Sequence, residues 1–273
     1  MFIKSFQPIK VDQLDNYLEI AIQSAKEAGA YLLDHFYENH SPLYKSEFDV
    51  GLLVDKESEE IILKRIRCAF PSHNIFSEEV GAIKNESDLT WYIDPLDGTN
   101  NYFIGIPYFG VSIALVKNDE VIVGIVYNPI TNQLFTAIKG GGAFLNNKRI
   151  KSKTEKQTPY SVLSFIKGHS KNDAETNDIQ AKEVEHIVSK NFTRVLKMWA
   201  PSLDWCLLAL GKTDVLVSYE SELEDMLAGL LIAQEAGINV YNFDGGDYQS
   251  GNNKIIASNK GLINDMIRLL KLY

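Results

Sequence analysis

Trp91-Tyr92-Ile93-Asp94-Pro95-Leu96-Asp97-Gly98-Thr99 is the stretch on which the reading of this chain turns. Its three large apolar residues predict a short buried strand. Pro95 stops that strand in a turn that presents Asp94 and Asp97, with a glycine and a threonine behind them. Brought together bare, two such carboxylates repel by about 4 kcal/mol at ~4 Å in an effective dielectric of about 20. A rigid strand end carrying both points to a cation that absorbs this cost, and oxygen donors point to a hard metal. Pro95 fixes the turn and Gly98 lets the backbone come close to a ligand. Gly98-Thr99-Asn100 reads as the start of a short helix whose free N–H groups suit a phosphate oxygen. The plainer alternative is an aspartate N-cap with no ligand.

Outside that stretch, the bulk properties narrow the possibilities. The chain has 273 residues, long enough for one large domain or two modest ones and for a sizeable core. Its apolar content of 45% and charged content of 23% are those of an ordinary soluble protein. The net charge of −9 disfavours nucleic acid or an anionic membrane as the main partner. The short basic stretch 148–156 reads as a solvated loop. The apolar runs 207–210 and 227–233 are far too short to span a bilayer, and Met-Phe-Ile-Lys-Ser-Phe lacks the features of a signal peptide. The only cysteines, Cys68 and Cys206, lie in helix-like apolar surroundings and read as buried thiols, so a cytoplasmic setting is expected.

Apolar spacing predicts a first helix over 14–36 and a second over 57–70, with 45–55 extended or irregular between them. A short strand over 74–76 leads to Ser77-Glu78-Glu79. After the aspartate turn the pattern becomes β, with strands over 108–117, 121–128, 133–138 and 143–145 and hairpin signals between them. The second half alternates: strands near 161–166, 194–197, 214–217 and 254–257, and helices over 179–189, 202–210, 222–236 and the C-terminus. Residues 170–178 resemble a loose linker. A meander followed by αβ alternation predicts an α/β fold of α+β type layers, one domain over 1–273 with subdomains of roughly 1–150 and 151–273.

Acidic residues stand beside element ends in four places: Asp55, the Glu78-Glu79 pair, the Asp94/Asp97 turn and Asp225. Asp225 has a second reading, because Ser221-Glu222-Leu223-Glu224 matches a capping box. Haloacid-dehalogenase-type phosphatases also place an aspartate-glycine-threonine after a hydrophobic strand, with their nucleophilic aspartate two residues before the second acid. That position here is Pro95, so a covalent aspartyl-phosphate mechanism lacks its nucleophile and the spacing favours metal-activated water.

Asp94-Pro95-Leu96-Asp97-Gly98-Thr99 resembles the signature of the inositol monophosphatase family. Flanking blocks occur in the family's order: Lys45, Asp49 and Asp55; Ser77-Glu78-Glu79; Asp225 with Ala228 and Gly229; Glu235-Ala236-Gly237; and Ile255-Ile256-Ala257-Ser258-Asn259. The resemblance runs from about residue 14 to the C-terminus. It implies a two-subdomain αβαβα sandwich and a Mg²⁺-dependent, lithium-sensitive phosphomonoesterase using two or three ions. Glu78, Asp94 and the Leu96 carbonyl would hold the first ion, and Asp94, Asp97 and Asp225 the second, with Glu78 helping a third. Thr99, with Asp55, would orient the attacking water, so that Asp55, Glu78 and Thr99 are the implied catalytic residues. Asp97, Gly98, Thr99 and Asp225 would contact the substrate, the phosphate lying on the N–H groups of Gly98 and Thr99. None of the five histidines falls inside these blocks, which argues against zinc.

Two departures concern the substrate. Glu224 replaces the family's usual tryptophan before the late aspartate and reads as a solvent-facing capping residue, the alternative being a charge at the pocket rim. Trp199-Ala200-Pro201-Ser202 replaces a stretch of small residues lining the sugar pocket, while Leu203-Asp204 keep the pattern and Leu196 stands where an arginine is common. The expected substrate is a small phosphorylated metabolite, an inositol or sugar monophosphate. Fructose-1,6-bisphosphate, 3′-phosphoadenosine 5′-phosphate and histidinol phosphate are the enzymatic alternatives, and a silent binding scaffold the non-enzymatic one. The resemblance also implies a homodimer, and the acidic net charge speaks against nucleic acid or membrane as partner.

Overall fold

The structure is a computed structural model that describes residues 11–44, 50–152, 161–168, 174–259 and 262–271. The chain opens with α1 (Val11–His35), a β1 (Leu43–Tyr44) and β2 (Val50–Gly51) pair, and α2 (Leu53–Ala69). Next come β3 (Asn74–Ser77), β4 (Gly81–Ile83), β5 (Leu89–Asp97) and the short α3 (Thr99–Phe103). A meander follows: β6 (Gly110–Lys117), β7 (Glu120–Asn128), β8 (Gln133–Ile138), β9 (Gly142–Leu145) and β10 (Lys148–Ile150). The second half holds β11 (Val162–Lys167), α4 (Ala174–Asn191), β12 (Arg194–Leu196), α5 (Pro201–Ala209) and β13 (Val215–Tyr219). The last elements are α6 (Leu223–Glu235), β14 (Asn239–Asn242), β15 (Lys254–Ser258) and α7 (Ile263–Leu270).

Eight strands form one sheet in the order β10-β9-β8-β7-β6-β5-β3-β4, antiparallel except where β3 pairs with β5. Five form a second sheet, β12-β11-β13-β15-β14. Alternation explains how the layers stack. On β6, Val111, Ile113 and Leu115 pack into the core under α1 and α2, whereas Ala114 and Val116 join the core built from α5 and α6. Burial on both faces is why this strand reads as a continuous apolar run. The opposite side of the α5–α6 layer meets Leu216, Ile255 and Ala257 of the five-stranded sheet. Leu163, Val215 and Val217 of that sheet face α4 and α7. The five layers are therefore α1α2, sheet, α5α6, sheet, α4α7, an αβαβα sandwich.

Turn chemistry sets the meander. Asn118 and Asp119 between β6 and β7, and Asn146 and Asn147 between β9 and β10, all adopt positive φ, the conformation of two-residue hairpins. Close backbone approach sets the middle layer. A Cβ on Gly124 would lie 2.8 Å from the Ala228 carbonyl oxygen, and one on Gly229 only 2.5 Å from the Trp205 Cβ. α6 thus lies directly on β7 and directly against α5.

Several expectations are corrected. α2 begins at Leu53, four residues earlier than the spacing predicts, because the Asp55 carboxylate turns back to accept the Leu52 N–H at 2.6 Å. Residues 148–150 form the edge strand β10, whose lysine and arginine suit an edge, and not a solvated loop. Residues 174–178, assigned to a linker, belong to α4; 170–173 lie outside the described residues. β14 was not anticipated, its polar ends hiding a four-residue strand. Cys206 is buried but Cys68 is exposed on α2, and neither is in a disulfide. Among the described residues no helix is long and apolar enough to cross a membrane.

The contact at Gly229 is testable. Gly229→Ala is expected to destabilise the fold by about 1–3 kcal/mol by forcing α5 and α6 apart, read as a drop of several degrees in a thermal melt. An unchanged melting temperature would contradict this packing.

Candidate active site

Asp94 and Asp97 leave the sheet on the side covered by the middle helix layer. Trp91 and Ile93 of β5 pack under α1 and α2, while Tyr92 packs toward α5 and α6, and alternation carries Asp94 onto the face of Tyr92. Three residues further along a regular strand, Asp97 would face the other way. The pairing with β6 is irregular here, Asp94 opposite Ser112 and Asp97 opposite Gly110, so one extra residue of β5 is taken up between them. Both aspartates are buried. Asp94 Oδ1 accepts the Leu96 N–H at 2.9 Å, closing the turn around Pro95. Gly98 follows with φ +95°, where a Cβ would meet the Tyr108 carbonyl oxygen at 3.1 Å and the Ala200 Cβ at 3.2 Å. Thr99 opens α3 and its hydroxyl donates to the Leu96 carbonyl at 2.9 Å.

Three further elements close on this turn. β3 runs parallel to β5 with Ser77 beside Ile93, and the Glu78 N–H donates to the Ile93 carbonyl at 3.2 Å, which sets Glu78 next to Asp94. Glu59 of α2 holds that segment from below: its buried Oε1 accepts the Ser77 hydroxyl and the N–H groups of Glu79 (3.0 Å) and Val80 (3.2 Å). One turn after Asp55, the Ser58 hydroxyl donates to the Pro95 carbonyl at 2.9 Å, bringing the start of α2 to the same turn. From the middle layer, the Ser202 N–H donates to Asp97 Oδ2 at 2.9 Å and the Ser202 hydroxyl bonds the same oxygen. Asp97 therefore occupies the N-terminus of α5. α6 is seated by the Ser112 hydroxyl, which donates to the Glu224 carbonyl at 3.0 Å, and so Asp225 in its first turn comes to Asp94 and Asp97.

The electrostatics record the crowding. Burial, then Glu78, Asp225 and Asp97, hold the Asp94 carboxyl well above the usual range. Burial, then Asp97 and Glu78, do the same to Asp225. Burial raises Asp97 to about 7 even though hydrogen bonds from Ser202 and Leu203 pull it down. Nearby, burial lifts Asp204 to about 8 against a 3.0 Å hydrogen bond from the Tyr108 hydroxyl, and burial lifts Glu224 to about 7. Among the described residues no three acidic, histidine or cysteine side chains are grouped as they would be around a metal ion. The four acids are gathered within electrostatic reach without being drawn to one point. The donors are all oxygen, the set a hard divalent cation takes, so the residues fit Mg²⁺ in chemistry and charge.

Of the residues named from sequence, Glu78, Asp94, Leu96, Asp97, Gly98, Thr99 and Asp225 lie in or around this turn, and Asp55 lies on the helix tied to it. Lys45 and Asp49 lie outside the described residues. Glu224 corrects its reading: it is buried, not solvent-facing. The capping box at 221–224 is not formed either, since the Ser221 hydroxyl bonds that of Ser218 at 2.6 Å. Sequence reasoning missed Glu59 and the Ser202–Asp97 bond. Glu59 lies on an amphipathic helix where an acid ordinarily faces water; its placement, four residues after Asp55 and so on the same face, was the only signal.

These shifts carry a stability consequence. A carboxyl raised above its unfolded value keeps a proton in the folded state that the unfolded chain has lost, so stability falls as pH rises from about 4 toward 8. Metal-stripped protein is expected to melt higher at pH 5.5 than at pH 8.5. A melting temperature that climbs steadily across that window would contradict the burial of these acids.

The sequence model of the inositol monophosphatase family matches residues 13–271. A fructose-1,6-bisphosphatase/inositol-1-monophosphatase of Aquifex aeolicus is 36% identical over 266 residues, covering 96% of this chain and 98% of the relative. A protein of Vibrio cholerae named Nus factor SuhB is also 36% identical, over 90% of this chain and 92% of its own. The inositol monophosphatase structure from Anabaena superposes with a TM-score of 0.82 at 30% identity, covering 95% of this chain and 97% of the other. The signature at Asp94–Thr99 thus sits within a likeness of sequence and fold that spans nearly the whole molecule, and the chain belongs to the inositol monophosphatase family.

Proposed function

We propose that the chain is a Mg²⁺-dependent phosphomonoesterase that hydrolyses an inositol monophosphate or a related small sugar phosphate. The observation that carries the reading is the gathering of Asp94 and Asp97, both buried, with the half-buried Asp225, each shifted upward, and Glu78 beside them. Some relatives are named Nus factors and others phosphatases, so the reading rests on the site and not on a relative's name. Glu78, Asp94 and the Leu96 carbonyl would hold one ion, and Asp94, Asp97 and Asp225 a second, with Glu78 serving a third, weaker one. When bound, the metal would supply positive charge for the phosphate and the departing oxygen and would acidify water.

The chain's own residues do the remaining work. Thr99 commits its hydroxyl proton to the Leu96 carbonyl, so its oxygen is left to accept a hydrogen bond and hold an attacking water by its proton. Asp55, at the base of α2, assists that orientation. The N–H groups of Gly98 and Thr99 receive the phosphate, with Asp97 and Asp225 facing it. The water oxygen forms the new bond to phosphorus as the ester bond to the alcohol breaks, and the alcohol leaves with a proton. Ser202 and Glu59 act by holding Asp97 and the Glu78 segment in place. A cytoplasmic homodimer with neither nucleic acid nor membrane as partner completes the proposal.

Phosphate release with and without Mg²⁺ from inositol-1-phosphate, fructose-1,6-bisphosphate, 3′-phosphoadenosine 5′-phosphate and histidinol phosphate tests it. Mg²⁺-dependent release, blocked by lithium and favouring the inositol ester, is expected. Asp94→Asn is expected to lower turnover by about 10²–10³-fold or more with an unchanged circular dichroism spectrum. Undiminished activity in that variant would remove the metal mechanism.

A further inference from the structure

The first turn of α5 has few donors and no cap of its own. Pro201 takes its first position and carries no N–H, so the first N–H groups of the helix are those of Ser202 and Leu203. Ala200, at the N-cap, has no side-chain oxygen to accept them. Asp97 supplies the missing cap from 105 residues away. Its Oδ2 accepts the Ser202 N–H at 2.9 Å and the Ser202 hydroxyl, and the Leu203 N–H bonds the same carboxylate.

A second carboxylate competes for the same place. Asp204 stands in that first turn, 1% exposed against 2% for Asp97, and the two are close enough to repel. An acid at a helix start is itself a natural acceptor for the free N–H groups. Asp204 is instead engaged elsewhere: its Oδ1 accepts the Tyr108 hydroxyl at 3.0 Å. Tyr108 is held for this by the aspartate turn, its carbonyl accepting the Asn101 side-chain N–H at 2.7 Å. Two residues on, Gly110 pairs with Asp97 across β5 and β6. The phenol therefore reaches from the strand opposite Asp97 to the helix that Asp97 caps. Neither Tyr108 nor Asp204 is a ligand or a donor in the proposed reaction, and a buried carboxylate costs stability that an apolar residue would not.

We propose that Tyr108 is a positioning residue for Asp97: its hydroxyl occupies Asp204, so that the scarce donors of α5 go to Asp97 and fix the rotation of that carboxylate toward a cation. The inference rests on the metal site of the proposed function. Without the hydroxyl, Asp204 loses its partner while staying buried, and the donors nearest to it are those of Ser202 and Leu203. Asp97 then shares its cap with a like charge, and its hold on the cation loosens. Loss of Asp204 has no such effect. Tyr108 is only half-buried and can turn its hydroxyl to water, and the α5 donors stay with Asp97.

Calorimetric titration of Mg²⁺ into metal-free wild type, Tyr108→Phe, Asp204→Ala and the double variant tests this at pH 8.5. At that pH Asp97 and Asp204, which burial lifts to about 7 and about 8, are mostly ionised. Both single variants break the same hydrogen bond, but only Tyr108→Phe leaves Asp204 free to compete. Tyr108→Phe is expected to bind Mg²⁺ about tenfold more weakly. Asp204→Ala and the double variant are expected to bind within about twofold of wild type. A Tyr108→Phe protein that merely folds badly would not be rescued by a second truncation, so the double variant also controls for folding.

Equal weakening in both single variants would make the bond a simple brace and overturn the proposal. Unchanged affinity in Tyr108→Phe, or a double variant as weak as Tyr108→Phe, would overturn it too. Phosphate release from inositol-1-phosphate, measured on the same samples, keeps the two readings apart. If no sample hydrolyses the ester while the pattern of affinities holds, the phosphatase reading fails and the positioning role stands.

Discussion

Four carboxyl groups that repel one another are held by the fold within reach of each other, two of them out of water. Burial alone disfavours the charge on Asp94, Asp97 and Asp225, and their mutual repulsion adds to it. Nothing about folding alone requires such an arrangement, and it detracts from the stability of the bare chain. Its persistence has to be sought in the surrounding structure, which is built to resist it. The bulge in β5 turns Asp94 and Asp97 to one side, and the first turn of α5 donates to the Asp97 carboxylate. The Ser112–Glu224 bond then holds α6, and with it Asp225, over the same spot.

The layered architecture makes this possible. α5 and α6 are covered by a sheet on each side, so their N-terminal turns are fixed by packing on both. Glycine at 124 and 229 lets α6 approach β7 and α5 to backbone distance, which fixes where its first turn lies. α2 contributes from the outer layer through Ser58 and Glu59, one bonded to the Pro95 carbonyl and the other to the segment carrying Glu78. The acids are thus gathered where three layers meet.

Much of this was legible in the sequence, and what was not has identifiable causes. The β5 turn could be read because each residue in it has a narrow role: an apolar strand, a proline stop, two acids and a glycine with positive φ. The meander was legible because asparagine and aspartate mark its turns. Glu59 and Ser202 were not legible, because their roles come from contacts across 18 and 105 residues of chain, which local pattern does not encode. Glu224 was misread for a related reason. Ser221, Glu222 and Glu224 at a helix start look like a cap, whereas here the bond from Ser112 of the sheet to the Glu224 carbonyl draws that turn into the interior. The start of α2 was misplaced because Leu52 gives no capping signal; the cap comes from Asp55 behind it.

The central claim is that these buried carboxyls are held together for a divalent cation that displaces their protons. Calorimetric titration of Mg²⁺ into metal-free protein at pH 7, repeated in buffers of different ionisation enthalpy, measures that displacement directly. The account predicts saturable binding with net release of protons, diminishing as pH is raised and the acids ionise without the metal. Absence of binding at millimolar Mg²⁺, or binding with no proton release at pH 7, would contradict it.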